Sequence, residues 1–423
     1  MKKIADLLVF ALSIGMLAGC GGSKKGPVTI QFMETLTSPD RTKYIKTLLT
    51  DFEAQNQNIK VELVSVPWDQ AHDKIMTQIA SKQLPDVVEM SGNWNAEMAA
   101  TEMVENLGPY YDKWEQKDEI SLSTLNLAKG YHNTLYAIPY GLFIRAMYYR
   151  PDWIKENNLS IPKTYDELFQ TAEKLTNASK NKYGYSFRGG KGCWTQLINT
   201  VMTQTGQSSY FDKDGKCILR QPKAIEAFKQ YANLYKKAAP KDSLNWGYNE
   251  KVIAFTTGVT GLLLQDSDVV ATCEKTMKEG TFATAPLPVG PDGKRYVMSG
   301  YVGFSMFNTS KNKDASWKLI SYLTDKKVNT EWNKKTSTMP VMKSALKDPF
   351  FNTGYIKAWT DTAADPNTVF FSHPDYLPEW GAFFAKESET GLQNYLLNKQ
   401  SAEDTMNKWA QFLEDANKKY NKK

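Results

Sequence analysis

The chain has 423 residues, 52 of them Lys or Arg and 46 Asp or Glu, and carries a formal net charge of +6. That length exceeds what one hydrophobic core ordinarily supports, so two lobes are expected. A basic excess this small and scattered gives no argument for a nucleic-acid partner, and His72, His132 and His373 are too far apart, without ligand-type neighbours, to argue for a metal or any other cofactor.

Residues 1–20 open with Lys2 and Lys3, run through an apolar core from Leu7 to Leu17, and end Leu17-Ala18-Gly19-Cys20. The apolar run is too short to span a bilayer and reads as a secretory signal over residues 1–19. A Cys at the cleavage point is similar to the lipobox of bacterial lipoproteins, which implies an acylated Cys20 held on the outer face of a membrane through the flexible tether of residues 20–28. Cys193, Cys217 and Cys273 remain, either as three buried thiols or with one disulfide, for which Cys193 and Cys217 are the nearest pair.

Residues 28–33, 60–66 and 85–90 read as strands, and 43–55 and 71–81 as the helices between them. That alternation predicts a parallel sheet with a crevice beyond the carboxyl ends of its strands, at Glu34-Thr35, Pro67-Trp68-Asp69 and Ser91-Gly92-Asn93-Trp94. Residues 136–157 begin at a Tyr-Pro-Tyr bend that includes Tyr140, continue as an apolar strand containing Arg145, and run into a helix at Pro151, as a crossover between lobes would. A buried Arg145 would need a partner.

Thr164 with Glu167 forms a capping box, residues 184–194 form a Gly-rich loop displaying Trp194, and Asp214-Gly215 turns a hairpin. Residues 224–237 are an amphipathic helix, 241–248 a loop carrying Trp246, and 255–264 a helix-to-strand step. Further crossovers are expected at 282–288 and 338–340, and Trp380 precedes a helical segment at 383–397.

The order of lipobox, KQLPDVVEM, YAIPYG, MYYRPDWIKEN, SIPKTYDELFQTAEKL and FTTGVTGLLL resembles the bacterial extracellular solute-binding proteins that deliver sugars to ABC importers, the class that includes maltose-binding protein. The resemblance implies an α/β fold of two lobes, each a sheet flanked by helices, joined by three crossovers with the ligand between them. The implied lobes are 29–138 plus 290–338 and 139–289 plus 339–423, with hinges near Ile138, Ala285 and Met339. It also implies a monomeric receptor with a membrane permease as partner, and places Gly300, Tyr301 and the strand end Gln265-Asp266-Ser267-Asp268 at the cleft. The chain departs from the family at Arg150, where members carry Asn or Asp, and at Asp266 and Asp268, where many sugar binders place an aromatic residue.

Aromatic rings suit the C–H faces of a sugar and carboxylates suit its hydroxyls, so the 11 Trp and 22 Tyr favour a carbohydrate, in particular an oligosaccharide. Candidate ligand contacts are Glu34, Trp68, Asn93, Trp94, Tyr140, Trp194, Trp246, Asp266, Asp268, Gly300, Tyr301 and Trp380. The Asp266 and Asp268 pair keeps two alternatives open: a cationic or amino-containing sugar conjugate, and a surface glycoside hydrolase using two carboxylates. No local motif supplies a catalytic residue, and the chain reads as a non-enzyme.

Overall fold

The computed structural model describes residues 26–422, so the signal and the lipidation expected at Cys20 lie outside the described residues. Eleven strands alternate with helices: β1 (Val28–Glu34), β2 (Ile59–Ser65), β3 (Val87–Ser91), β4 (Ile138–Ile144), β5 (Ala146–Tyr149), β6 (Tyr183–Tyr185), β7 (Thr260–Gln265), β8 (Ala283–Ala285), β9 (Arg295–Met306), β10 (Met339–Pro340) and β11 (Thr368–Phe371). They form two sheets. A seven-stranded one runs in the order β10-β4-β9-β3-β1-β2, with β11 also on β9, and a four-stranded one runs β6-β7-β5-β8. Every residue of β3 and of β7 is buried, as it must be where helices cover both faces of a sheet.

β1 pairs in parallel with β2 and β3, as the alternating pattern of strand and helix requires. The apolar stretch after Pro139 is two strands rather than one. β4 pairs with β9 in the first sheet as far as Ile144, β5 pairs with β7 and β8 in the second, and Arg145 alone separates them. The chain returns to the first sheet along β9, whose start carries β11 and whose later half pairs with β4 and β3.

Helices begin within a few residues of the ends of β1, β2 and β3. Ser38 caps α1 (Pro39–Gln55), Pro67 precedes α2 (Trp68–Ser81), and Ser91 caps α3 (Gly92–Ala99) through its Oγ. Trp68 and Trp94, expected at strand ends, therefore sit in the first turns of the helices that follow those strands. The capping box at Thr164 and Glu167 is present, and Gly215 turns the hairpin with φ 76°. The stretch 184–194 begins on the last two residues of β6, and Trp194 opens a helix, Trp194–Thr205, of which every residue is buried. That helix lacked a legible apolar face because its polar residues find partners inside: Asn199 donates to the Tyr165 hydroxyl at 2.9 Å and to the Tyr296 carbonyl at 3.0 Å. Cys193, Cys217 and Cys273 are free and buried. Among the described residues no helix is long and apolar enough to cross a membrane, and no cluster of His, Cys, Asp and Glu could hold a metal ion.

A buried carboxylate fixes the loop after β1. Glu89 accepts from the backbone N–H groups of Thr35 and Leu36, each at 2.7 Å, from Arg41 at 2.5 Å and from the Tyr140 hydroxyl. Arg41 also donates to the Tyr140 oxygen and lies 4.4 Å from the Trp332 ring centre, while the Tyr140 ring stacks on Phe304 at 4.6 Å. Tyr140→Phe would strip this network of one shared donor and acceptor at no cost in volume. We expect it to lower unfolding stability by about 1 to 3 kcal/mol; calorimetric melts unchanged from wild type would show that the hydroxyl holds nothing.

Candidate functional site

The carboxyl ends of β1, β2 and β3 bring together Glu34, Trp68, Asn93 and Trp94. Glu34 is fully buried, accepts from Thr42 at 2.7 Å and Ser65 at 2.5 Å, and leaves Oε2 unpartnered; burial raises its pKa against those two hydrogen bonds. Trp94 is 1% exposed and packs on Trp68 and on His72. Trp68 is half-buried, and Asn93 accepts at 3.3 Å from the Trp380 indole N–H. Tyr301 leans across Gly92, with its hydroxyl accepting from Asn95 at 2.7 Å, and Gly300 lies partly open beside it on β9.

The facing group comes from the ends of β4, β6 and β7. Arg145, 4% exposed, donates to Asp266 Oδ2 at 3.3 Å. The same oxygen accepts from the Gln265 amide at 3.0 Å, and Tyr148 holds the Asp266 carbonyl at 2.7 Å. Asp268 accepts from the Tyr248 hydroxyl at 2.6 Å. Behind them the buried Lys251 donates to Gln265 Oε1 at 2.5 Å; burial, then the charges of Arg188 and Arg145, hold its amine well below the usual lysine range. Burial pushes the Asp266 carboxyl up to about 6 against the pull of Arg145. Arg188, Lys251, Tyr248 and Asp69 were not among the candidates. Arg188 had a sequence signal, a charged residue following the short aromatic strand Tyr183–Tyr185, whereas Lys251 follows Asn249 and Glu250 and reads as part of a polar helix start.

The two groups meet. Arg188 lies 3.5 Å from Asp69 and 5.3 Å from the Trp68 ring centre. Lys191 donates to the Asp69 carbonyl at 2.8 Å and to Asp73 at 2.7 Å. Gly192, at φ 77°, leaves room for the Arg188 guanidinium, which any side chain there would strike. Gly381 allows the segment after Trp380 to lie against Glu97 on α3, where a Cβ would collide with that carboxylate. His72 bridges the same corner, with Nε2 at 2.7 Å from Glu97 and Nδ1 at 3.2 Å from Asp73.

Several candidates lie deeper than their sequence positions suggested. Tyr140 is fully buried in the first-sheet core. Trp194 is not displayed by a loop: it is 0% exposed, donates to the Tyr210 hydroxyl at 2.9 Å, and is packed edge-on by Phe383 and Trp409. Trp380, 1% exposed, stacks on Phe383 and on His373. His373 accepts from or donates to the Tyr210 hydroxyl at 2.7 Å through Nδ1, and burial together with the Arg145 charge lowers its pKa to about 3, leaving it neutral. Trp246 is half-buried, its indole N–H on Asp242 at 3.2 Å. Asp266 Oδ2 is engaged by Arg145 and Asp268 by Tyr248, so the charge of Asp266 is already offset, while its Oδ1 has no hydrogen-bond partner among the described residues.

Residues 38–330 match a protein family described as bacterial extracellular solute-binding protein. A protein of Brucella abortus (strain 2308), named only as a binding protein, is 25% identical over 369 residues, covering 86% of this chain and 88% of its own. Among solved structures, an ABC transporter solute-binding protein of Thermotoga lettingae bound to α-D-tagatose superposes with a TM-score of 0.83 at 20% identity, covering 92% of this chain and 99% of its own. The maltose-bound MalE3 of T. maritima gives 0.82 at 21% identity with the same coverage.

His72 supplies a pH test of the corner within the first group that Lys191 and Gly381 approach, since its partners there are Asp73 and Glu97. Burial alone would lower its pKa, but the hydrogen bonds and charges of Glu97 and Asp73 raise it above the ordinary histidine value. A raised value means that the contribution is complete below the unfolded pKa of about 6.5 and fades as pH rises through the folded one. The loss of melting temperature in His72→Gln should therefore be largest near pH ~5.5 and shrink toward pH ~9. A loss that stays constant with pH would mean that His72 contributes packing only.

Proposed function

This chain belongs to the bacterial extracellular solute-binding proteins, and we propose that it is the lipid-anchored receptor of an ABC importer, capturing a carbohydrate between its lobes and presenting it to a membrane permease. The fold is the two-lobed α/β one of those proteins. Tagatose and maltose in structures of the same fold support a carbohydrate here. The observation that carries the reading is the meeting of two sets of strand ends: Trp68, Asp69 and Asn93 from the first sheet against Arg188, Lys191 and Trp380.

We place the first lobe boundary at Arg145, because β4 pairs within the first sheet through Ile144. β10 pairs with β4 and so belongs to the first lobe as well. The return along β9 and the exit after Pro340 are the other two hinges. A ligand touching both lobes favours the closed arrangement, since only there are both sets of contacts made, and it shifts the equilibrium by that difference in affinity. The protein acts as a monomeric receptor and not as an enzyme: Asp266 and Asp268 stand on one strand end, Asp266 Oδ2 held by Arg145 and Asp268 by Tyr248, where hydrolysis of a glycoside needs an acid and a base flanking the bond.

Small-angle scattering should show compaction when a binding sugar is added, and sugars recovered from the incubation should be intact. Unchanged scattering at calorimetric saturation would exclude closure, and hydrolysis abolished by Asp266→Asn would make the protein an enzyme. For the anchor, Cys20→Ser should move the protein from the membrane fraction to the soluble one without altering sugar affinity. Retention in membranes would count against acylation of Cys20.

A further inference from the structure

We propose that the ligand is short and uncharged, a monosaccharide or acyclic polyol, seated on Arg145, Arg188 and Asp266; this rests on the carbohydrate-receptor reading above. The first observation is a set of unpartnered polar atoms. Arg145 Nε and Nη1, Arg188 Nε and Asp266 Oδ1 find no hydrogen-bond partner among the described residues. The three side chains belong to residues only 4%, 4% and 6% exposed, so water does not replace the missing bonds cheaply. Leaving such a group unmatched is costly, more so when it is charged.

The mixture of donors and acceptor selects the ligand chemistry. A hydroxyl accepts from a guanidinium and donates to a carboxylate oxygen at once, so adjacent hydroxyls satisfy Arg145 and Asp266 together. A carboxylate or phosphate would satisfy both guanidinium groups but would be pressed against Asp266 Oδ1. An ammonium would suit Asp266 and be repelled by Arg145 and Arg188. The protein also offsets both guanidinium charges itself, Arg145 against Asp266 at 3.3 Å and Arg188 against Asp69 at 3.5 Å.

The second observation limits length. Successive sugar units need a row of open aromatic faces, whereas Trp94, Trp194 and Trp380 are each at most 1% exposed and packed against other rings. Trp68 has Trp94 at 5.6 Å and Arg188 at 5.3 Å. One sugar ring could meet its remaining surface. The contacts of Lys191 with Asp69 and Asp73 then close the cleft directly beyond it.

The test is calorimetric titration of the purified protein with glucose, tagatose, mannitol, ribitol, maltotriose, mannotriose, glucuronate and glucosamine. A hexose or polyol should bind at least tenfold more tightly than either trisaccharide and than either charged sugar. Asp266→Asn, which keeps the side-chain shape, should weaken that ligand at least tenfold while circular dichroism and melting temperature show a folded protein, and Arg145→Lys should do the same if it folds. A trisaccharide that binds tightest overturns the short ligand and leaves the carbohydrate reading standing. Preference for glucuronate or glucosamine over glucose overturns the uncharged one, and full affinity in Asp266→Asn overturns the seat. Failure of every carbohydrate to bind defeats the receptor reading itself, and this inference with it.

Discussion

Arg145 is buried at the single residue where the chain leaves one sheet for the other, and a buried guanidinium must be neutralised and hydrogen-bonded or it destabilises the fold. Asp266, at the end of β7, supplies the opposite charge at 3.3 Å. The pair therefore ties the passage between β4 and β5 to a strand end 121 residues further on. Gln265 and Tyr148 hold Asp266 in turn, so the floor of the second lobe is rigid before any ligand arrives. Arg145 is thus both part of that floor and the residue between the two sheets, so any displacement there strains the same few bonds.

Beside the buried Arg188 and Trp380, some of the contacts that join the lobes are of a different kind. Lys191 is 33% exposed and Asp73 66%, and exposed pairs of this sort contribute about 0 to 1 kcal/mol each. Lys275 with Asp40 is as open, at 61% and 68%. Such contacts bias the lobes toward each other without locking them. A receptor that must release its cargo needs a closed state only slightly favoured on its own, with the balance supplied by ligand. Cores on either side are held far more firmly, by Glu89 with its four donors in the first lobe and by the buried rings around Trp194 in the second.

Much of this was legible along the sequence. The β1, β2 and β3 alternation followed from periodicity, the helix at Thr164 from its capping box, and the need for an Arg145 partner from a charge inside an apolar strand. The break of that strand at Arg145 was not, because the same run of apolar residues serves two sheets and nothing local marks the change. Arg188 was hidden by its neighbours: Gly189, Gly190 and Gly192 invite a loop reading, while the buried guanidinium they accommodate is visible only once Asp69 and Trp68 are brought opposite.

The tryptophans show where sequence reasoning reaches its limit. A count of indoles in polar stretches measures how much aromatic surface a chain has, not how much of it faces a ligand. Trp194 lies in a Gly-rich, polar context, yet its faces and edges are taken by Phe383, Trp380 and Trp409, residues 186 or more positions away. Ring faces satisfied by other rings give up about 0.5 to 1.5 kcal/mol per pair if exposed to a ligand instead, so a buried aromatic cluster resists being recruited for binding. Its effect on the site is indirect. By packing around Trp380 and His373 it fixes a wall of the second lobe, and the polar atoms left unpartnered nearby, on Arg145, Arg188 and Asp266, owe nothing to the number of rings behind them.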